Sequence, residues 1–267
     1  MEDESGLSQP HPIVVVKVGG TADIKTARIG SDIRDLLDQG IRVVVAHGGG
    51  DELTAWRKAR RRRTLWRDGL RVTDDQTRDD AVLVFRGIVA PAIVGALQRS
   101  GVSAVGLSGP DGGVVRVRRA SRALGWVGRI KEINTGLLDD LTLSGHVPVV
   151  SPLGVDGRGS IYNVNGDDVA AAIAGATKAK ALVFLTDVDG VRDANGSVIN
   201  DLDPHVARRL IRDGVVSDGM LPKVRAALGL LADVHAVWIV NGRRPHALRR
   251  TLDLSGGGTR IWERTPL

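Results

Sequence analysis

The sequence predicts an α/β protein, a three-layer α/β/α sandwich with a mainly parallel central sheet. Two observations lead to this fold class: short apolar runs rich in Val recur along the chain, and helical patterns lie between them. A run that is almost continuously apolar is typical of a strand covered on both faces. Regular alternation of such strands with helices indicates parallel strands joined by helical crossovers, with helices on both sides of the sheet.

Each predicted element follows from these patterns. The predicted core strands are Ile13–Val18, Arg42–Ala46, Ala104–Leu107, Val147–Val150, Leu182–Thr186 and Ala236–Val240. The predicted helices are Lys25–Asp38, Glu52–Arg61, Arg78–Gln98, Thr135–Ser144, Asp167–Ala174, Pro204–Ile211, Pro222–Leu231 and Pro245–Leu252. Two stretches interrupt the alternation and are predicted as exposed hairpins, Arg63–Thr73 and Val114–Val127.

No linker separates independent domains in the sequence. The Gly-rich, polar stretch Gly154–Ile161 predicts a loop between two lobes that share one sheet. We therefore expect a flexible N-terminus over residues 1–12 and one domain over residues 13–267. Its N-lobe would span about residues 13–155 and its C-lobe about residues 156–267.

Composition narrows the class of function. The chain has 267 residues, 42% of them hydrophobic, which is ample for a packed core. It has no cysteine, which excludes disulfides, cysteine-ligated metals and a thiol nucleophile. The first residues lack the pattern of a secretory signal, so we expect a cytoplasmic protein with no membrane partner. The net charge of +6 favours anionic partners, but aromatic residues are only 3%, too few to predict nucleic-acid binding.

Two glycine-rich segments directly follow predicted strands. Lys17 is the penultimate residue of the first predicted strand, and Gly19 and Gly20 directly follow that strand. The glycines at 48–50 follow the second predicted strand. Ligands of open α/β sheets bind beyond the carboxyl ends of the strands, and bare glycine N–H groups at a helix start can cradle an anion. An ordinary turn and a flexible loop remain the alternatives. His47 is a possible acid or base, although a structural role is the favoured interpretation.

Polar residues also surround two later elements. Asn163, Asn165 and Asp167 precede a helix of small residues, where the amides can bind a substrate and Asp167 can orient cationic side chains. Alternatively, Asn165 or Asp167 is simply an N-cap. Thr186 and Asp187 lie at the end of another strand, where a nucleotide sugar or base can bind. An ordinary Asp-Gly turn explains the following Asp189-Gly190 equally well.

Lys223 stands at an unusual place for a lysine. The segment from Ser217 to Lys223 contains a Gly turn and Pro222, which is typical of a helix start. A cation in the first turn opposes the helix dipole, and a phosphate bound there would reconcile the two. Two lysines, one organising carboxylate and two glycine cradles together suit the stabilisation of a moving phosphoryl group.

Nine segments, in order, resemble the amino-acid kinase family, and within it the members that phosphorylate N-acetyl-L-glutamate. The resemblance runs from Val14 to about Ile261. Its segments are V-V-K-V-G-G at 15–20, V-A-H-G-G-G at 45–50, G-L-R-V-T-D at 69–74, G-L-S-G-P-D-G-G at 106–113, V-G-R-I at 127–130, N-V-N-G-D at 163–167, L-T-D-V-D-G-V at 185–191, S-D-G-M-L-P-K-V at 217–224 and N-G-R-R-P-H-A-L at 241–248.

The resemblance implies an amino-acid kinase-like fold and phosphorylation of the γ-carboxylate of N-acetyl-L-glutamate by ATP, in arginine biosynthesis. It also implies that the N-lobe binds the acceptor and forms the dimer and that the C-lobe binds the nucleotide. The catalytic residues it implies are Lys17, Lys223 and Asp167. The acceptor-binding residues it implies are Gly49, Gly50, Arg71 and Asn163. The nucleotide-binding residues it implies are Gly19, Gly20, Thr186 and Asp187. Mg²⁺ would be carried mainly by the ATP phosphates, with no metal site on the protein.

Some residues depart from the family pattern. Ala90-Pro91 stands where the family usually has Asn-Lys near the acylamino-acid pocket, and Gly166 replaces the usual Ala. The stretch from Arg57 to Arg71 is unusually basic, which a solvated helix end explains. Arg60 to Arg63 are consecutive and cannot share one helix face, so we expect them to unwind toward the Arg71 hairpin, where they could attract an anionic acceptor.

Two alternative functions stay open. The first is a kinase for a glutamate or aminoadipate carboxylate carried by an acidic amino-group carrier protein, and the second is a non-catalytic sensor of an amino acid or nucleotide. Relatives inhibited by arginine have an extra N-terminal helix that links dimers into a hexamer. Only about a dozen residues precede the first strand here, and Pro10 and Pro12 disfavour a helix. We therefore expect a homodimer built on Arg78–Gln98, with little inhibition by arginine.

Overall fold

The computed structural model describes residues 11–19, 28–67, 69–217, 219–253 and 256–263. The expected flexible N-terminus lies outside the described residues except for His11 and Pro12, and Gly20 lies outside them too. The predicted helix Lys25–Asp38 is described from Arg28 onward.

The strands fall where the sequence places its apolar runs. They are β1 (Ile13–Val18), β2 (Arg42–His47), β3 (Trp66–Arg67), β4 (Leu70–Arg71), β5 (Ala104–Leu107), β6 (Val115–Arg119), β7 (Gly128–Ile133), β8 (Val147–Val150), β9 (Leu153–Val155), β10 (Ile161–Asn163), β11 (Ala181–Thr186), β12 (Asp201–Leu202), β13 (Ala236–Asn241) and β14 (Thr259–Ile261). All six predicted core strands are present within one residue of their expected bounds.

Eight of these strands form one central sheet. Their order is β12-β14-β13-β11-β1-β2-β8-β5. Neighbours pair in parallel except β13 with β14. The strand β1 lies at the middle, with Val15 beside Leu182 of β11 on one side and Val44 of β2 on the other. The sheet therefore includes strands from both halves of the chain, and the predicted α/β class with a mainly parallel sheet is confirmed.

Helices cover both faces of this sheet. They are α1 (Arg28–Asp38), α2 (Gly50–Ala59), α3 (Asp75–Val84), α4 (Ala90–Arg99), α5 (Thr135–Leu143), α6 (Gly166–Ala176), α7 (Pro204–Arg212), α8 (Met220–Leu230) and α9 (Ala247–Leu252). Alternate side chains of a strand point to opposite sides. In β1, Val14 and Val16 pack into a core with α1 to α4 and α9, whereas Val15 packs into a core with α5 to α8. The three layers follow from this alternation.

A π-helical turn, Phe85–Val89, joins α3 and α4 into one long helix. Over residues 75–99 it is 25 residues long, and its most apolar 18-residue window is, by length and composition alone, sufficient to cross a membrane. In the fold, 44% of that window is buried, and a core helix passes the same test. The N-terminus of this long helix is capped by Asp74, whose side chain accepts a hydrogen bond from the Thr77 N–H at 2.7 Å.

A second sheet corrects two of the sequence predictions. It has four strands in the order β10-β9-β6-β7. The predicted hairpin Val114–Val127 ends too early, because its second strand is Gly128–Ile133. The stretch Gly154–Ile161, predicted as a loop between lobes, instead joins β9 and β10 as an antiparallel hairpin of this second sheet. Strands of three residues are too short to give a recognisable alternation, which is why the sequence did not reveal them.

Candidate active site

The carboxyl ends of the central parallel strands bring Lys17, Gly19 and the glycines at 48–50 to one edge of the sheet. Lys17 is the penultimate residue of β1, and His47 is the last residue of β2, directly before the glycines. Thr186 is the last residue of β11, on the other side of β1. Parallel strands end at the same edge, so residues far apart in sequence meet there.

Two lysines share one carboxylate at this edge. Lys17 Nζ lies 2.7 Å from Asp167 Oδ1, and Lys223 Nζ lies 3.0 Å from Asp167 Oδ2. All three side chains are largely buried. Asp167 stands in the first turn of α6, whose N-cap is Asn165, since the Asn165 side chain accepts from the Asp167 N–H at 2.7 Å. The structure thus brings together all three residues predicted to be catalytic.

The charges of this cluster are interdependent. Burial alone would raise the pKa of Asp167, but the neighbouring ammonium groups of Lys17 and Lys223 outweigh it and hold that pKa below the ordinary carboxyl value. Lys223 also donates to the Gly219 carbonyl at 3.2 Å. The unfavourable position of Lys223 at a helix start is therefore offset by Asp167, and no bound phosphate is needed to explain it.

The two glycine loops touch each other closely. The Gly48 N–H donates to the Val18 carbonyl at 2.9 Å, and a Cβ on Gly48 would lie 2.1 Å from the Gly19 carbonyl oxygen. Gly49 has a φ of 124°, and a Cβ there would lie 2.9 Å from the Phe85 ring. These glycines are required by space and backbone conformation, because any side chain would separate the loops or displace Phe85.

One cleft of about 780 Å³ contains both lysines. The residues that line it are Lys17, Gly19, Gly50, Asp51, Glu52, Leu185, Thr186, Asp187, Lys223 and Arg243. The predicted nucleotide residues Gly19, Thr186 and Asp187 all lie here. Arg243, whose Nη2 is 3.7 Å from Asp187 Oδ2, was missed. The N-G-R-R segment after a predicted strand end was the available signal, but nothing in it distinguished Arg243 from a solvated arginine.

A second cleft of about 590 Å³ adjoins the first, and Gly50 lines both. The residues that line it are Gly48, Gly50, Trp66, Gly69, Leu70, Arg71, Phe85, Val127, Pro152, Asn163, Val164, Asn165 and Gly166. It contains the predicted acceptor residues Gly50, Arg71 and Asn163. The Asn163 amide donates to Thr73 Oγ1 at 3.2 Å. Trp66 and Phe85 were missed, because an apolar ring in a sequence is more often part of a core.

Arg71 is a buried cation in the second cleft. Its side chain donates to the Gly50 carbonyl at 3.0 Å and to Thr54 Oγ1 at 2.9 Å, and it lies over the Trp66 ring at 4.6 Å. Within the described part of the chain no ion pair to a carboxylate involves Arg71. Burial, and next the positive charge of Arg57, lower the pKa of Arg71 below its ordinary value. A buried guanidinium with no carboxylate in ion-pair contact is suited to bind an anion.

His47 has a structural role in this site. Its side chain is fully buried, and its Nδ1 lies 2.7 Å from the Gly48 carbonyl, which can only accept, so Nδ1 carries the proton. Nε2 therefore accepts from Ser151 Oγ at 2.9 Å. Burial lowers the pKa of His47 to about 4, so the ring is neutral at physiological pH. The neutral imidazole ties β2 to the segment after β8.

Ala90, which departs from the family pattern, does not line either cleft. It is buried, 1% exposed, and faces Gly106 of β5, where a Cβ would lie 3.7 Å from the Ala90 Cβ. Phe85, five residues earlier and at the start of the π-helical turn, is the residue of this long helix that reaches the second cleft. π-helical turns frequently occur at functional sites.

Comparisons with known proteins agree with this geometry. The family model described as "Amino acid kinase family" matches residues 12–241. An acetylglutamate kinase of Acidiphilium cryptum is 40% identical over 93% of this chain and 89% of its own length. An acetylglutamate kinase of Synechococcus sp. is 42% identical over 88% of this chain and 85% of its own length. The crystal structure of smu.665 from Streptococcus mutans superposes with a TM-score of 0.84 at 27% identity, covering 94% of this chain and 99% of that one.

The fold, the site and a match over most of the chain agree, and this chain belongs to the amino acid kinase family. The resemblance inferred from nine sequence segments is therefore confirmed.

Proposed function

We propose that this protein is a kinase that transfers the γ-phosphoryl group of ATP to the γ-carboxylate of N-acetyl-L-glutamate, in arginine biosynthesis. The observation that carries the proposal is the pair of ammonium groups held on the single carboxylate of Asp167, in a cleft that adjoins a second cleft with a buried, unpaired guanidinium. Relatives named acetylglutamate kinase over about 90% of the chain support the choice of acceptor.

The reaction follows from these charges. An oxygen of the acceptor carboxylate attacks the γ-phosphorus while the bond to the β-phosphate oxygen breaks, which gives an acyl phosphate and ADP. The carboxylate is already ionised, so no base is needed. Negative charge spreads over the phosphoryl oxygens in the transition state, and Lys17 and Lys223 stabilise it. Asp167 sets the distance and orientation of both ammonium groups before the substrates bind.

The two clefts divide the binding roles. Gly19, Gly20, Thr186 and Asp187 would hold the nucleotide, and Gly49, Gly50, Arg71 and Asn163 the acceptor. Mg²⁺ would be carried mainly by the ATP phosphates, since Mg²⁺ commonly uses substrate phosphates with few protein carboxylates. Within the ranges that the structure describes, no group of three or more His, Cys, Asp or Glu side chains is spaced to hold a metal ion.

The proposal is tested by coupled ADP release with N-acetylglutamate, N-acetylaminoadipate, glutamate and aspartate, each at several concentrations. N-acetylglutamate should give the highest kcat/KM. Equal, background-level ADP release with all four acceptors would contradict the proposed acceptor and favour a sensor. A sensor of nucleotide or amino acid has no need for a preassembled pair of lysines, which is why it ranks lower.

Replacing Arg71 with Ala should raise the KM for N-acetylglutamate by about 10- to 100-fold, because a hydrogen bond to a charged group contributes about 1.5–3 kcal/mol. The KM for ATP should change little, since Arg71 lines the second cleft and not the first. Steady-state kinetics with each substrate varied separately measures both. A raised KM for ATP with an unchanged KM for the acceptor would reverse our assignment of the two clefts.

A carrier-bound acceptor is the second candidate, and one surface favours it. The hairpin at the mouth of the second cleft exposes Leu65 by 63% and Trp66 by 58%, beside the exposed Arg61, Arg63 and Arg67. The helix α2 ends at Ala59, two residues before its predicted end at Arg61, and Arg61 adopts a positive φ of 54°. This surface, Arg61 to Arg67, could dock an acidic protein.

Replacing Arg61, Arg63 and Arg67 together with Ser distinguishes a free acceptor from a carrier-bound acceptor. If the cluster attracts a free dianion, kcat/KM for N-acetylglutamate should fall several-fold at low salt and its salt dependence should weaken. If the cluster serves a carrier protein, the free acceptor should be unaffected, whereas capture of an acidic carrier should be lost. The matched control removes the same charge at Arg208, Arg209 and Arg212, which are exposed on α7 and line neither cleft.

We further propose a homodimer in the cytoplasm. The outward face of the long helix exposes Leu83 by 56% and Ile88 by 41%, which suits contact with a second copy. The division into lobes at about residue 155 is also a proposal. One continuous sheet supports a single domain, and residues from both halves of the chain line each cleft.

A further inference from the structure

A buried carboxylate outside the catalytic cluster collects three donors. Asp80 of α3 is 1% exposed. Its Oδ2 lies 2.6 Å from Arg57 Nη1, and its Oδ1 accepts from Trp56 Nε1 at 3.2 Å and also pairs with the Arg62 guanidinium. The Arg57 and Asp80 side chains are 3% and 2% exposed, which is more buried than the Lys17–Asp167 pair. The proposed reaction uses none of these groups.

A buried ion pair is a weak device for stability, because apolar side chains of similar size often stabilise a fold as well or better. The role of this ion pair is therefore sought in the positions of the segments that it connects. Here Asp80 joins α3 to α2 through Arg57, and it joins both helices to the irregular segment after α2 through Arg62. Arg57 adds a second tie to that segment, since its Nη2 lies 2.5 Å from the Arg63 carbonyl oxygen.

The fixed segment leads directly into the hairpin of the second cleft. The strands β3 and β4 have two residues each, and an isolated pair of that length is not stable by itself. The exposed Leu65 and Trp66 do not anchor the hairpin by burial. At its far end, the Thr73 N–H donates to the Leu124 carbonyl at 2.9 Å. The Asp80 cluster is the corresponding anchor at the near end.

We propose that Asp80 is a positioning residue for acceptor binding, which acts through Arg57 and Arg62 to hold Trp66 and Arg71 over the second cleft. This inference rests on the proposed function, because that function makes Arg71 a binding group for the acceptor. The Asp80 side chain does not line the cleft and touches no substrate. Its effect reaches the acceptor only through the conformation of residues 62–71.

Asp80→Asn keeps the shape of the side chain and removes the charge that holds two arginines. We expect the KM for N-acetylglutamate to rise about tenfold while kcat and the KM for ATP stay within about twofold, which is the pattern of lost ground-state binding. In an Arg71→Ala background, Asp80→Asn should add little, because the group that it positions is absent. Asp139→Asn is the control, since Asp139 pairs with Arg42 at 2.7 Å at the amino end of β2.

A second variant separates positioning from stability. Arg57→Met combined with Asp80→Leu replaces the ion pair with apolar side chains, so the Tm should stay equal or rise. The KM for the acceptor should nevertheless stay raised in this double variant. Asp80→Glu retains the negative charge, so its KM for the acceptor should lie between that of the wild type and that of Asp80→Asn. A wild-type KM in the apolar double variant would overturn the proposal. So would a parallel loss of kcat, ATP binding and Tm in Asp80→Asn together with full recovery of all three in the double variant.

Amide hydrogen exchange gives a readout that does not depend on the acceptor. Asp80→Asn should speed exchange at residues 61–73 and leave the central strands unchanged. Unchanged exchange at residues 61–73 would overturn the inference even if N-acetylglutamate proves to be the acceptor. Faster exchange confined to that segment would support the anchor even if another acceptor is found.

Discussion

Replacing Lys17 or Lys223 with Ala is expected to lower kcat by about 100-fold, with a much smaller change in nucleotide binding. Each ammonium group contributes mainly where charge develops on the transferring phosphoryl group, and one such donor provides about 3 kcal/mol of transition-state stabilisation. Both lysines contact the same carboxylate, at 2.7 and 3.0 Å, so both can reach one phosphoryl group. Single-turnover kinetics and equilibrium titration of an ATP analogue measure the two effects separately.

Lys180→Ala is the matched control, because Lys180 is exposed and lines neither cleft. It should leave kcat unchanged. Unchanged turnover in Lys17→Ala or in Lys223→Ala would remove that lysine from the mechanism. A loss of ATP affinity as large as the loss in kcat would mean that the lysine binds the ground state and the transition state equally.

Asp167→Asn should have the largest effect of any single substitution in the site. It leaves two buried ammonium groups without their counter-charge, and removing one partner of a buried pair costs about 3 kcal/mol or more of folding stability. The same change frees both lysines from their fixed positions, so kcat should fall by about 1,000-fold or more. Adding Lys17→Ala to Asp167→Asn should lower kcat by much less than it does alone, because residues that act as a unit are not additive.

The pH dependence of stability gives Asp167 a second test. The lysines hold its pKa in the folded state below the value of about 3.9 in an unfolded chain, despite the opposing effect of burial. Its stabilising contribution is therefore complete above about pH 5 and is lost as the pH falls through about 3.9 toward the lowered value. Denaturant unfolding of the wild type and Asp167→Asn should give free energies of unfolding that converge below about pH 4. A constant difference down to pH 3 would contradict the lowered pKa.

Much of the site could be predicted because the strands were predictable. The run Ile13–Val18 is apolar on both faces and is buried on both faces, so its end and therefore Lys17 could be placed before any contact was known. The same holds for the glycines after β2 and for Thr186 at the end of β11. Gly20 is not described and its role stays a prediction. Asn165 was open between a cap and a ligand; its hydrogen bond to the Asp167 N–H shows that it caps α6, and it also lines the second cleft.

The sequence by itself determined the parts that depend on local pattern. Continuous apolar runs specified parallel strands, and glycines and a lysine at strand ends, with a second lysine at a helix start, specified an anion site, because both effects act over a few neighbouring residues. Only the tertiary structure decided which side chains meet. Arg57 and Arg71 look alike within one basic stretch, yet Asp80, on a different helix, neutralises the first and leaves the second unpaired. That choice depends on burial and on partners distant in the chain, which no local pattern contains.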